Sequence, residues 1–401
     1  MPDRHRAKAP LGENPLVAYS YRTLLTVAAT AIVLLVAACG SATGHTAHAL
    51  ARTVAQPGSA TNPCPSTDTP PDTLTETGSS LLYPLFAAWA KAYKNVTIRP
   101  GKTSSGTGIL CASEGEVDIG ASDAFLSSGN LVQHPDLLNI PVAISAQQVN
   151  YNLPTVPATE HVQLNGKVLA EMYDGQITSW NDPQIRALNP GIALPSLAVR
   201  PLHRGEITGS GDTFVFTSYL SAGSPYWSRE YGYGTTVAWP SVPGAQSETG
   251  NAGMVGGCAL TRGCVAYIGI SYLAEAEGKG LGYAALENAA GKFVLPTTAG
   301  SLVDAVAPFV SAIPGNESIS MVYGPAGLNQ QTALGYPIVN FEYVIVPDYY
   351  PSATTAREVR TFLRWAISTG NSPSYLGGTI MFQPLPPEVA SLAEAQITSI
   401  R

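Results

Sequence analysis

Three short segments of this 401-residue chain combine glycine with serine or threonine after an apparent strand. They are Glu76-Thr77-Gly78-Ser79-Ser80, Thr103-Ser104-Ser105-Gly106-Thr107-Gly108 and Thr208-Gly209-Ser210-Gly211-Asp212. Glycine lets the backbone turn so that successive N–H groups converge, and serine hydroxyls add donors. A helix starting behind each loop adds a favourable dipole for an anion. One such loop is ordinarily a plain connection, but three in one chain describe a site for a tetrahedral oxyanion. Two charged residues belong with them. Asp123, in Gly120-Ala121-Ser122-Asp123-Ala124, falls just past a short strand, where ligands gather in open α/β sheets. Arg204 follows the strand Leu197 to Leu202, and its guanidinium fork holds two oxygens of one anion at once. In other settings the same two residues are a helix N-cap and a surface ion pair.

The elements that must hold these loops read as alternating short strands and helices from Thr73 to Arg401. Leu85, Trp89 and Tyr93 recur every four residues, with Pro84 in the first helical turn. Strand patterns follow at Val96-Thr97-Ile98-Arg99, Val117-Asp118-Ile119-Gly120, Leu138 to Ser145 and Gln148 to Leu153, and a helix is expected from near Ile109. Val168, Leu169 and Met172 mark a further helix, Asn181-Asp182-Pro183 caps the next, and Val359, Phe362, Leu363 and Ile367 share a face before Gly370. Such alternation predicts α/β architecture with mainly parallel sheets. Thr213-Phe214-Val215-Phe216-Thr217 stays undecided: its propensity is that of a strand, while Gly209-Ser210-Gly211-Asp212 before it reads as a helix-opening loop.

Composition removes several classes of function. With 45% hydrophobic and 12% charged residues the chain is neither a disordered acidic tail nor a coiled coil, and 39 glycines with 32 prolines demand many turns. The net charge is −7 and the 21 basic residues form no dense cluster, which excludes nucleic acid as a partner. Five cysteines show no metal spacing, so no metal is expected.

At the N-terminus, Arg22 precedes an apolar run from Leu24 to Ala38. About 20 residues are needed to span a bilayer, so this run suits a secretory signal core instead. It ends in Val36-Ala37-Ala38-Cys39-Gly40, which resembles a bacterial lipobox whose Cys39 is lipidated and becomes the mature N-terminus. Residues 1–38 are thus expected to be a lipoprotein signal peptide, and 39–72, rich in Ser, Thr, Ala and Pro, a flexible tether reaching roughly 30 Å. An uncleaved anchor is the alternative. Export makes cysteine pairing the rule. Cys258 and Cys264 close a local loop, leaving Cys64 and Cys111 as the second pair, although other pairings satisfy the sequence on paper.

The segments Thr77 to Trp89, Gly120 to Leu126 and Gly209 to Tyr219 resemble the phosphate-binding protein of the bacterial high-affinity phosphate ABC importer, the PstS family. So do Asn165-Gly166-Lys167-Val168-Leu169, Leu188-Asn189-Pro190-Gly191 and Val265-Ala266-Tyr267-Ile268-Gly269, in order, across Thr73 to Arg401. Leu81-Leu82-Tyr83-Pro84-Leu85-Phe86, Gln147 to Leu153 and Phe382-Gln383-Pro384-Leu385-Pro386-Pro387 resemble its actinobacterial, mycobacterial-type lipoprotein branch. The resemblance implies a two-lobed, periplasmic-binding-protein-like clamshell, each lobe a mixed, mainly parallel sheet flanked by helices. Lobe I would be 73–147 plus 343–401 and lobe II 148–342, with crossings at Ser145 to Tyr151 and Asn340 to Val346.

Carried over by position, Ser80 donates through hydroxyl and N–H, Leu81 through its N–H, and Ser104 from the second loop. Asp123 accepts the proton that phosphate carries, Arg204 supplies paired guanidinium bonds, and Ser210, Gly211 and Asp212 complete the cradle, the last two through N–H groups. The run from Arg204 to Gly209 is about two residues longer than relatives have, so the family's arginine-supporting aspartate has no clear counterpart. Glu206 is the candidate substitute. An ionised carboxylate only accepts, so Asp123 would admit phosphate with its proton and refuse sulfate. The resemblance implies inorganic phosphate as ligand, no cofactor, a lipid-anchored monomer on the outer face of the cell membrane, and permease subunits as partners.

Sulfate or another oxyanion is the alternative ligand. A secreted phosphatase-like hydrolase needs a base beside a serine, and of His134, His161 and His203 only His203 lies beside a ligand motif. No G-x-S-x-G elbow is present. A surface adhesion role is compatible with the tether.

Overall fold

A computed structural model describes residues 62–65, 70, 72–157, 159–322 and 334–401. The expected signal peptide, Cys39 and most of the tether lie outside the described residues. Proline and small polar caps start many of the helices. Strand β1 (Thr73–Gly78) leads into α1 (Tyr83–Ala92), where Pro84 sits in the first turn and Leu85, Phe86 and Trp89 are buried. Strand β2 (Thr97–Lys102) precedes α2 (Ser105–Ser113), which starts at Ser105 instead of near Ile109 because the Ser104 side chain caps it. Then come β3 (Ile119–Ser122), α3 (Ser128–Gln133) and the long β4 (Leu137–Tyr151).

The middle of the chain carries β5 (Gln163–Leu164), α4 (Gly166–Tyr173), capped by Asn165, and α5 (Pro183–Leu188), capped by Asp182. Strand β6 (Arg200–Arg204), α6 (Gly211–Gly223), α7 (Pro225–Glu230), β7 (Gln246–Glu248), α8 (Gly250–Leu260) and β8 (Cys264–Gly269) follow. Shorter elements come next: α9 (Leu273–Gly278), β9 (Gly282–Tyr283), β10 (Ala285–Glu287), β11 (Phe293–Val294) and α10 (Ser301–Val306). The C-terminal part is β12 (Val339–Pro347), α11 (Ala353–Ala366), α12 (Pro373–Leu376) and α13 (Pro387–Ser399).

Among the described residues the main sheet runs β2-β1-β3-β12-β4-β8-β6-β7, with β9 also beside β4. Its two flanks are parallel, β1 with β2 and β3, and β6 with β7 and β8. Between them the two long strands run antiparallel. The two β-rich runs expected as separate strands form the single strand β4, which pairs with β12 up to Ala146 and with β8 from Gln147 onward. Gln147 and Gln148 interrupt the apolar run, yet both are buried where the strand changes partner.

The undecided segment at Thr213 is helical. Almost every residue of α6 from Gly211 to Ser221 is buried, so the helix has no apolar stripe for a period to reveal. Cys258 bonds Cys264, and Cys64 bonds Cys111 across 47 positions. No helix of the described residues is long and apolar enough to cross a membrane.

Candidate functional site

The C-terminal ends of β1, β2 and β3 deliver the first two loops and Asp123 to one edge of the sheet. Asp123 is 1% exposed and surrounded by donors. The Ser79 hydroxyl donates to its Oδ1, and that hydroxyl accepts the N–H groups of Leu81 at 3.1 Å and Leu82 at 3.0 Å. Ser105 Oγ donates to Asp123 Oδ2 at 3.2 Å and accepts the Asp123 N–H at 3.2 Å. Asn340 on β12 fixes the backbone by donating to the Asp123 carbonyl.

The third loop closes onto the second. Ser210 caps α6 by accepting the Thr213 N–H at 3.3 Å. The Gly106 N–H donates to the Gly209 carbonyl at 3.1 Å, and a Cβ on Gly106 would lie 1.7 Å from the Thr208 carbonyl oxygen. Gly211 packs as tightly, since a Cβ there would meet Ser105 Oγ at 2.6 Å and Asp123 Cβ at 2.7 Å. No other residue type permits either approach.

Arg204 ends β6 with its backbone N–H held by Tyr267 Oη at 2.9 Å. Its Nε donates to both carboxylate oxygens of Glu206, at 2.9 and 3.0 Å, and its Nη1 donates to Asp212 Oδ2. Glu206 also accepts the Gly250 N–H at 2.7 Å. The extra loop length is absorbed outward: Gly205 and Ile207 are exposed, Ile207 by 98%, while the Glu206 side chain is only 8% exposed.

The expected ligand residues lie in one neighbourhood, and several of their side chains have partners within the protein. Ser80 Oγ accepts from Asn251 Nδ2 at 2.9 Å and from Asn251 N at 3.1 Å. Ser104 Oγ is spent on the helix cap and on Thr107 and Thr208 Oγ1, each at 3.0 Å, so Ser105 is the residue that reaches Asp123. The Asp212 carboxylate accepts from Gln147 Nε2 at 2.7 Å and from Asn251 Nδ2 at 2.9 Å.

Asn251 escaped the sequence reading. Its Oδ1 accepts the Gly269 N–H at 2.6 Å, so one side chain joins the first loop, α6 and β8. The signal for it was a fourth small-residue helix start, Thr249-Gly250-Asn251. His203 stacks on Trp239 with ring centroids 4.9 Å apart, and its Nδ1 lies 3.1 Å from the Arg204 carbonyl oxygen. Among the described residues no group of three or more His, Cys, Asp and Glu is placed to hold a metal.

The electrostatics are those of a crowded acid cluster around one cation. Burial pushes Asp123 up, and Glu342, Ser79, Arg204 and Ser105 oppose the shift. Burial and then the Asp123 charge raise Asp212 to about 7, against the pull of Arg204. For Arg204 burial works against the charge, but Asp212 and Glu206 outweigh it and hold the guanidinium protonated. The arrangement can bind an anion through many dipoles and one cation, provided the anion brings hydrogen to a buried acceptor. A cavity of about 610 Å³ reaches the loops at Gly106 and Thr208 and is bounded by Phe125, Phe214 and Tyr233.

A family profile described as a PBP superfamily domain matches residues 63–369. The phosphate-binding protein PstS of Pasteurella multocida is 31% identical over 81% of this chain and 89% of its own length. The phosphate-binding protein PstS 2 of Mycobacterium tuberculosis is 28% identical over 78% of the chain and 82% of its own. Among solved structures, a high-affinity periplasmic phosphate-binding protein bound with phosphate superposes with a TM-score of 0.64 at 20% identity, over 80% of this chain and 93% of that one. A phosphate-bound ABC-transporter substrate-binding protein from Clostridium perfringens superposes at 0.53 and 13% identity, over 78% and 100%. The structural likenesses establish the fold as an α/β fold of the periplasmic-binding-protein kind.

Proposed function

Since this chain belongs to the PstS family of phosphate-binding proteins, we propose that its three-loop cradle captures inorganic phosphate outside the cytoplasm and delivers it to an ABC importer. The observation that carries the reading is Asp123, a buried acceptor ringed by donors beside a single guanidinium. Phosphate at neutral pH supplies the hydrogen that this acceptor lacks, whereas sulfate would set two anionic oxygens face to face. Ser80, Leu81, Ser104, Arg204, Ser210, Gly211 and Asp212 supply the remaining contacts to the ligand, Ser104 and the Leu81 N–H by exchanging their protein partners for it, while Ser79 and Ser105 orient the aspartate, and Glu206 and Asn251 lock the arginine and the first loop. The chain acts by binding and release and uses no cofactor.

Two lobes, 73–147 with 343–401 and 148–342, would close over the ligand. The partner change of β4 between Ala146 and Gln147, where the flanking parallel strands separate, supports a hinge there. The two disulfides fit an oxidising compartment. Lipidation at Cys39 would tether the monomer to the outer face of the membrane, within reach of the importer's permease subunits.

Calorimetric titration of anion-stripped protein, starting ahead of Cys64 so that its bond to Cys111 survives, tests the reading. One-to-one phosphate binding without sulfate heat is the expected result. Equal heats from both anions would move the assignment to a general oxyanion receptor.

A further inference from the structure

Glu342 belongs to no loop of the cradle. It stands on β12 two residues after Asn340 and is fully buried. The Ser145 hydroxyl, on the facing strand β4, donates to its Oε1, while Oε2 finds no conventional donor among the described residues. Tyr343 pairs with Ser122 across β12 and β3, and Asn340 donates to the Asp123 carbonyl, so the strand register sets Glu342 beside Asp123, and the two carboxyls act on each other as hydrogen-bonding neighbours. Two carboxylates in such contact, with Asp212 also near, cannot all be ionised away from water; one proton must be shared between them.

Asp123 shows which way that proton points. A carboxylate offers about four lone-pair sites. Ser79 donates to Oδ1 and Ser105 to Oδ2, and neither hydroxyl takes the proton away. A neutral Glu342 adds a third donor, leaving about one site open toward the cradle. Burial, the Asp123 charge and the Asp212 charge all favour the neutral form of Glu342, with only Ser145 opposing. Arg204 faces Asp123 from β6 and helps to keep the aspartate charged.

We propose that Glu342 is a positioning residue for phosphate specificity, a neutral acid that donates a hydrogen bond to Asp123 and so keeps it an ionised acceptor with one lone pair reserved for the ligand's hydrogen. The inference rests on the phosphate reading above. If Glu342 loses its donor, Asp123 is left with two donors in a dry site and takes up a proton itself. It then becomes a donor, and a fully ionised oxyanion fits where phosphate alone did.

The test compares phosphate and sulfate binding by calorimetry for the full chain in detergent, as wild type, E342Q and E342L. The glutamine keeps an N–H donor of the same length, and the leucine removes it. The expected result is strong phosphate preference in wild type and E342Q, and a preference narrowed at least about tenfold in E342L. Because E342L also alters packing, difference infrared spectra of wild type and E342Q supply an independent reading: the neutral carboxylic-acid stretch present in wild type is lost in E342Q. Unchanged phosphate-to-sulfate ratios in both variants, or no neutral-acid band to lose, overturn the inference while phosphate capture stands. Failure of the wild type to bind phosphate overturns the capture reading and this inference with it.

Discussion

On the proposed function, ligand selection at Asp123 comes down to one missing hydrogen, and the donors around it make that testable. In Asp123→Asn the carboxamide presents its own N–H to the ligand, so sulfate becomes acceptable. The phosphate-to-sulfate preference should narrow by about a hundredfold, read by paired titrations. An unchanged preference would place selection elsewhere. Glu206 makes a second prediction at this scale. It grips Nε of Arg204 with both oxygens and accepts the Gly250 N–H. Glu206→Gln leaves the guanidinium with Asp212 as its partner, free to turn away from the ligand. Phosphate affinity should fall about tenfold or more while the fold persists, because a charged hydrogen bond contributes about 1.5–3 kcal/mol. Full affinity in this variant would mean that the pairing is ornamental.

At the scale of elements, loops and helix starts are positioned by what their neighbours cannot carry. Gly106 lets the second loop touch the third, and Gly106→Ala would drive a methyl into the Thr208 carbonyl. Overpacking of this kind costs about 1–3 kcal/mol. On the proposed two-lobe division it falls on the closed arrangement alone, because Gly106 and Thr208 would then belong to different lobes. Phosphate affinity should drop roughly ten- to a hundredfold, and small-angle scattering should show a smaller contraction on adding phosphate, with the thermal midpoint of the free protein unchanged. A lowered midpoint with normal affinity would mean that Gly106 serves folding instead.

The same scale explains what the sequence could reveal. The loops were legible because glycine and serine signal backbone conformation locally, and α1, α4, α5 and α11 because caps and apolar spacing agree with burial. Helix α6 was not, because it is buried on nearly all sides. Asn340 and Asp123 are 217 positions apart, and Glu342 meets the aspartate only because β12 lies beside β3. No local pattern carries such a contact. Ser79 against Ser80, and Ser105 against Ser104, could not be told apart either, since which hydroxyl faces the aspartate depends on where the following helix begins.

Across the whole molecule, buried acids tie stability to pH, and the direction follows from their shifts. Burial raises Glu317 to about 8, with Gln396 as its hydrogen-bonding partner, and Asp212 stands at about 7. Both therefore bind a proton more tightly folded than unfolded. The stability this contributes is complete below about pH 4 and is lost as pH rises through 7 and 8, on the order of a few kcal/mol per group. Thermal unfolding of ligand-free protein should thus show a midpoint declining from pH 5 to pH 9. Glu317 touches Gln396 on α13, and its backbone carbonyl accepts from Tyr343 Oη, contacts apart from the three loops. Glu317→Gln should flatten the upper part of the decline and leave phosphate affinity intact, while Asp212→Asn should flatten the part near neutrality and weaken binding as well. A midpoint that rises over this range would mean that both acids are ionised inside the fold, and the cluster around Arg204 would then have to hold more negative charge than one guanidinium can balance.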